Sequence, residues 1–255
     1  MCLCSTLSRR KALLGGSSAL LSLSLAGCVT TEGGSAPSLI SDAEVERAAL
    51  RSWAQIRAQT PASRNASHIA QARAVSNRLL GAAGERPDAW EVQVFAGSEI
   101  NAFALPGRKI GIYDGLFRVA DTPDQLATVV GHEIGHVQAR HGEERINTQA
   151  ATGLGLDLLG AVLQAGNVSG GADIAAALGV GAEFGILRPY SRRQELEADA
   201  LGLRLMDRAG YNPRQAITLW QDMQAVGGTP PELISTHPAP TTRIAEMQGL
   251  VEELA

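Results

Sequence analysis

The chain has 255 residues, a net charge of −4 and only 4% aromatic residues. Its length suits one domain with a substantial core, and its acidic balance argues against nucleic acid as a partner. Few aromatics beside 28 glycines favour helices packed through small residues over a β-sandwich.

The first segment reads as an export signal. Ser8-Arg9-Arg10-Lys11 is a basic start, and Ala12–Gly27 is a modestly apolar run, too short and too rich in Ser and Gly to span a bilayer. It ends in Leu25-Ala26-Gly27-Cys28, which resembles a bacterial lipobox. Residues 1–27 are therefore expected to be removed and Cys28 to carry lipid, which would supply the membrane attachment. The arginine pair also resembles a twin-arginine export signal, although ordinary signals carry such pairs too. Cleavage would remove Cys2 and Cys4, leaving no cysteine for a disulfide or a thiolate metal site. Losing Arg9, Arg10 and Lys11 would bring the net charge to −7. Val29, rather than Asp, follows Cys28, so the outer membrane is the expected destination and the periplasm the compartment. Residues 28–41 form a Gly/Ser/Pro-rich tether, and residues 42–255 the folded domain.

Ser41 and Glu44 have capping-box spacing, so a helix is expected from there to about Gln59, before Pro61. A second helix is expected over about Ser67–Ala83, with Gly81 and Gly84 as stop signals. The period then changes. Trp90–Phe95 alternates apolar and polar, as a strand does. Glu99–Leu105 and Lys109–Tyr113 read as two more strands, joined through Pro106-Gly107 as a hairpin. Pro123-Asp124 opens another helix, expected to reach about Glu144. Residues 151–187 are Gly- and Ala-rich, but their glycines, Asp157, Gln164 and Asp173 argue against a membrane span. Buried helices fit this stretch, as would a lid or an apolar groove. Further helices are expected over about Arg192–Ala209, 213–225 and 240–253. The sum is a mostly helical α+β domain with one small antiparallel sheet.

The helix after Pro123 carries His132-Glu133-Ile134-Gly135-His136, the pattern H-E-x-x-H. Residues four apart share a helix face, so both imidazoles can hold one metal ion while Glu133 sits within reach as a general base. That is the layout of a zinc hydrolase. A third protein ligand is then needed. His141 comes five residues after His136, with Ala139 where one zinc-protease class has Gly and a His at six. It reads instead as a residue at a helix C-terminus, where its charge suits the dipole. Glu195-Leu196-Glu197-Ala198-Asp199 is the better source. Glu195 and Asp199 share a face, so one can bind metal while the other accepts the distal N–H of a ligand histidine.

These motifs, with Ser191-Arg192, Asn101-Ala102-Phe103, Pro106-Gly107 and Ser235-Thr236-His237-Pro238, resemble the HtpX/CAAX-prenyl-endopeptidase family of zinc metalloproteases, peptidase family M-forty-eight. Within it the chain resembles the periplasmic lipoprotein members of the BepA and LoiP type. The resemblance covers about residues 42–252. It implies a zincin-type domain with the metal between two helices, one zinc ion bound by His132, His136 and Glu195, Glu133 as catalytic base, and Asp199 supporting a ligand histidine. His237 matches a position that can approach the metal and block its open site. The family hairpin has Pro-Gly-Gly, whereas Arg108 follows Gly107 here. No tetratricopeptide array is expected.

Tyr190, Arg192, Arg193 and His237 are candidates to stabilise the transition state. The strand through Asn101, Ala102 and Phe103 could bind an extended peptide along its edge. The expected activity is endoproteolysis of misfolded or misassembled outer-membrane and periplasmic proteins. The alternative is a lipid-anchored chaperone or assembly factor whose metal site is structural or latched by His237. Glu133 favours the enzyme, because a structural zinc site needs no general base.

Overall fold

The computed structural model describes residues 40–151, 190–225, 231–237 and 241–254. The signal segment, Cys28, most of the tether and nearly all of the 151–187 stretch lie outside the described residues. Helix α1 spans Asp42–Gln59, and its Ser41 N–H donates to the Glu44 carboxylate at 2.9 Å. Helix α2, Ala66–Ala82, starts at Asn65, whose side chain accepts the Ser67 and His68 amides. Strands β1 (Glu91–Phe95), β2 (Ala102–Leu105) and β3 (Lys109–Tyr113) follow.

The β2–β3 hairpin is antiparallel, as its sequence spacing predicts. β1 lies on the other side of β3 and runs parallel to it, so the sheet order is β1-β3-β2 and β2 is an edge. Strand periodicity reports burial, not the partner, so this parallel pairing has no signature in the sequence. The hairpin turn places both Gly107 and Arg108 at positive φ (81° and 62°). The Arg108 backbone therefore takes up a left-handed conformation that glycine would adopt without a Cβ penalty.

Alternate residues of the sheet serve two cores. Val94, Ala102, Ala104, Ile110 and Ile112 face a cluster built with α2 and the later helices. Phe95, Phe103, Leu105 and Tyr113 face α1, around Trp53 and Ile56. The small Ala102 and Ala104 side chains let the next helix lie close to the edge strand.

That helix, α3, spans Pro123–Gln138, with Thr122 and Gln125 forming a capping box. It ends six residues before the expected Glu144. Arg140 adopts φ 58°, and a separate helix α4 begins at His141 and runs to Ala151. Helices α5 (Arg192–Arg208), α6 (Arg214–Ala225) and α8 (Thr241–Glu253) match expectation closely. A short helix α7, Glu232–Thr236, was not foreseen. The fold is thus mostly helical with one small sheet. No described helix is long and apolar enough to cross a membrane.

Helices α3 and α5 form the most extensive pairing of elements among the described residues. Their backbones come very close. A Cβ on Gly202 would lie 2.9 Å from the His132 amide nitrogen, and one on Gly135 would lie 2.8 Å from the Ala198 carbonyl oxygen. Backbone cannot swing aside as a flexible side chain can, so Gly202→Ala must push α5 off α3. We expect it to cost about 1–3 kcal/mol, read as a lower midpoint in urea with an unchanged slope.

Candidate metal centre

The α3/α5 contact sets the site. The four-residue spacing on α3 turns His132 and His136 to one side, and the same spacing on α5 turns Glu195 and Asp199 towards them. His237, just after α7, closes over the group. His132, His136, Glu195 and His237 are all buried, and their ligand atoms lie within 4.8 Å of one another.

The distances fit one small ion. His132 Nε2 lies 3.0 Å from His136 Nε2 and 3.2 Å from His237 Nδ1. Glu195 carboxylate oxygens lie 3.0 Å from His237 Nδ1, 3.4 Å from His132 Nε2 and 3.6 Å from His136 Nε2. A tetrahedral zinc with bonds of about 2.05 Å separates its ligand atoms by roughly 3.3 Å. Three imidazole nitrogens and one carboxylate suit zinc in kind as well as in spacing. The set therefore fits a single zinc ion.

The surrounding hydrogen bonds fix which nitrogens face that ion. His132 Nδ1 lies 2.9 Å from Asp199 Oδ1, both buried. A carboxylate only accepts, so Nδ1 carries the proton and Nε2 presents its lone pair inward. His136 Nδ1 lies 2.9 Å from His141 Nδ1, and His141 Nε2 lies 3.4 Å from Glu197 Oε2. One proton order satisfies the whole chain: His136 Nδ1–H donates to His141, and His141 Nε2–H donates to Glu197. Arg243 is fully buried and spans the carboxylates. Its Nε and Nη2 donate to Asp199 at 2.7 Å each, and its Nη1 lies 2.7 Å from Glu195 Oε2.

Burial and charge pull the ionisable groups in different directions. Burial alone would lower the His132 pKa, but its bonds to Asp199 and Glu195 outweigh that and raise it to about 9 before a metal binds, so an ion taking the Nε2 lone pair would displace a proton from it. His136 is pushed well below its ordinary value, by burial and then by the neighbouring imidazoles. Burial would raise Glu195, yet His237 and His132 hold it below the usual carboxylate range. Asp199 is likewise lowered, with its bonds to His132 and Arg243 overcoming burial. Glu133 goes the other way, raised chiefly by burial. Its Oε1 is buried without a hydrogen-bond partner among the described residues, 3.4 Å from His237 Nε2. Burial pushes Tyr190 up to about 12, so its hydroxyl stays protonated at neutral pH.

The structure brings together His132, Glu133, His136, Glu195, Asp199 and His237. Tyr190 joins them, stacked on His136 at 4.0 Å with the Arg145 guanidinium 4.0 Å from its ring centre. Arg192 and Arg193 do not join. Both are exposed, and Arg193 pairs with Glu144 at 2.6 Å and Glu197 at 3.3 Å. On the first turn of α5, Arg193 lies on the face opposite buried Glu195, and Arg192, on a face next to it, is exposed, so neither arginine is gathered with the site. Asn101 directly precedes the edge strand, which Ala102 and Phe103 open, and all three are buried, with the Phe103 ring packed against Trp53 at 6.1 Å. Phe103 is thus a core residue and offers only backbone to the edge.

His141 is a second correction. It does not sit at a helix C-terminus but opens α4, because the left-handed Arg140 turns the chain back beneath His136. Arg243 was missed altogether. The one signal for it was an arginine six residues after His237 in an otherwise amphipathic helix.

Two buried histidines and a glutamate from two crossing helices, with a glutamate beside the first histidine, define a metallopeptidase-type zinc centre. The chain belongs to Peptidase family M48, whose profile matches residues 66–251. It is similar to the mitochondrial metalloendopeptidase OMA1 of Schizosaccharomyces pombe, 35% identical over 182 residues, covering 70% of this chain and 52% of that protein. It is also similar to the OMA1 of Arabidopsis thaliana, 38% identical over 152 residues, 59% of this chain and 29% of that one. The beta-barrel assembly-enhancing protease of Escherichia coli K12 is 33% identical over 163 residues, 61% of this chain and 33% of that protein. The chain therefore matches about half or less of the length of these relatives.

His141→Phe keeps a ring of similar size but cannot accept the His136 proton. Removing such a partner typically weakens metal binding about 10–100-fold, and we expect that loss when zinc retention is measured by chelator competition.

Proposed function

We propose that this chain is a zinc-dependent endopeptidase of the bacterial cell envelope. In this reading it is lipid-anchored through Cys28, faces the periplasm from the outer membrane, and hydrolyses misfolded or misassembled outer-membrane and periplasmic proteins. The observation that carries the enzymatic part is Glu133. A structural zinc site has no use for a buried glutamate with a free oxygen beside its ligands, yet Glu133 Oε1 is buried without a hydrogen-bond partner among the described residues. The beta-barrel assembly-enhancing protease among the relatives supports the envelope setting.

Bound zinc supplies Lewis acidity that polarises the scissile carbonyl. His132, His136 and Glu195 would hold it, with Asp199 and His141 keeping the two imidazoles aimed. Glu133 Oε1 takes the proton of the attacking water and then delivers it to the leaving amine nitrogen, a use for which its raised affinity for protons is suited. Tyr190, protonated and packed against His136, is the donor best placed for the negative charge that develops on the carbonyl oxygen. Substrate would lie along β2. Asn101 C=O accepts the Tyr113 amide at 3.1 Å, so by antiparallel alternation Ala102 and Ala104 turn their backbone groups away from β3. Pairing with those groups grips any extended peptide without reading its sequence.

A latched site is the second reading, and a specific arrangement favours it. His237 Nδ1 lies 3.2 Å from His132 Nε2 and 3.0 Å from Glu195 Oε1, where it would serve as a fourth ligand, while its Nε2 lies 3.4 Å from Glu133 Oε1. The Leu233 amide of α7 donates to Ile100 C=O at 3.1 Å, at the head of the edge strand. One segment thus covers the open metal position, the base and the first rung of the substrate ladder. In this second reading the arrangement is a closed form of the enzyme.

Cleavage of an unfolded protein by the purified chain separates these readings. Glu133→Gln should lower the rate about 10²–10⁴-fold, the usual worth of a general base, with zinc content unchanged. His237→Ala should raise the rate about tenfold, as expected if roughly nine molecules in ten are latched. No hydrolysis in either the wild type or His237→Ala, with client binding intact in Glu133→Gln, would replace the peptidase with the chaperone.

A further inference from the structure

Arg243 has no part in the chemistry set out above, yet it is the largest fully buried side chain among the described residues. It lies on α8, six residues after His237 in the same C-terminal segment. Its planar fork makes contacts with three different residues. Nε and Nη2 grip both oxygens of Asp199, the group that aims His132. Nη1 lies 2.7 Å from Glu195 Oε2 on the metal-binding carboxylate. The same Nη1 donates to the backbone carbonyl of His237 at 3.1 Å. The guanidinium plane is backed by Trp220 of α6, with its carbon 4.7 Å from the ring centre.

A point charge could neutralise these carboxylates, but only a fork can hold three groups at fixed mutual angles. The third contact is to backbone, so it persists whatever side chain stands at position 237. A shift of α8 therefore moves the Glu195 and Asp199 carboxylates and the latch backbone together.

We propose that Arg243 is a positioning residue through which helix α8 sets both the zinc affinity of the site and the seating of the His237 latch. This rests on the zinc-peptidase reading above. The Nη1 bridge from Glu195 to the His237 carbonyl makes the two effects one: loosening the fork loosens ligand and latch alike.

The test compares full-length wild type with Arg243→Lys, which keeps the charge and loses the fork, and with Val251→Ala, which removes buried apolar contact from the same helix. Zinc affinity is measured by competition with a chromogenic chelator. Latch seating is read from the visible absorption of the cobalt-loaded protein, with His237→Ala as the open reference. We expect Arg243→Lys to bind zinc about 10–100-fold more weakly, and Val251→Ala to stay within about threefold of wild type. The cobalt spectrum of Arg243→Lys should move towards that of His237→Ala. Zinc affinity in Arg243→Lys no weaker than in Val251→Ala, or a cobalt spectrum identical to wild type, overturns the proposal. Should Arg243→Lys fail to fold, Trp220→Leu frees one face of the guanidinium, and the same two readouts decide. A wild type that takes up no zinc would sink the peptidase reading and this proposal with it. A zinc-binding wild type beside an unaffected Arg243→Lys would sink only the role of Arg243.

Discussion

Burying three carboxylates in one small volume is the constraint on which the rest of this structure depends. Glu133, Glu195 and Asp199 are 3%, 1% and 6% exposed. Each ion taken from water costs several kcal/mol even after relaxation, unless partners replace the lost solvation. The histidines that orient the site cannot do this while they serve as neutral ligands. Arg243 and one divalent cation can, since together they balance three negative charges. The arginine is therefore as much a part of the metal site as the residues that would touch the ion. Its own burial is tolerable only because carboxylate oxygens take up its fork.

Packing meets this electrostatic demand by bringing backbones together. Glycines at 131, 135 and 202 and the small Ala198 remove side chains from the α3/α5 crossing. Ala102 and Ala104 do the same between the sheet and α3. Helices that close bring Glu195 and Asp199 within reach of His132 without long side chains spanning the gap. Short reach means fewer rotamers to freeze, so the ligand atoms are held near their bonding distances by the fold itself. The many small residues that the composition shows are, at this crossing, a geometric requirement of the site.

Much of this was legible before any coordinates. H-E-x-x-H and E-x-x-x-D announce themselves because the metal geometry and the helix repeat coincide within a few consecutive residues. Capping boxes at Ser41/Glu44 and the hairpin spacing around Pro106-Gly107 are equally local. What escaped is non-local or lacks a sequence marker. The break after Gln138 occurs at Arg140, a residue that normally continues a helix, so nothing signalled that His141 would fold back onto His136. Arg243 lies 44 residues from its main partner, and a lone arginine on an amphipathic helix reads as a solvated charge. The parallel pairing of β1 with β3 is hidden for the same reason, because alternation fixes which face is buried and not which neighbour is paired.

If His237 latches the site as proposed, opening the enzyme means displacing the segment that carries it. On the proposed reading the latch would hold on by three contacts: His237 among the ligand atoms, Leu233 on Ile100 C=O, and the His237 carbonyl on Arg243. The first two are the very groups that an extended substrate needs, the open vertex for its carbonyl and the Ile100 rung for its amide. Substrate and latch therefore compete for one surface, and only a chain able to pair along β2 gains enough to displace α7. A folded protein has its strands already paired and offers no such edge, whereas an unassembled strand does. A ligand shifts a two-state equilibrium only by its differential affinity for the two states. On the proposed reading, then, the latch adds selectivity that the backbone-reading edge lacks: it makes opening conditional on the same unpaired backbone that marks a client as misassembled.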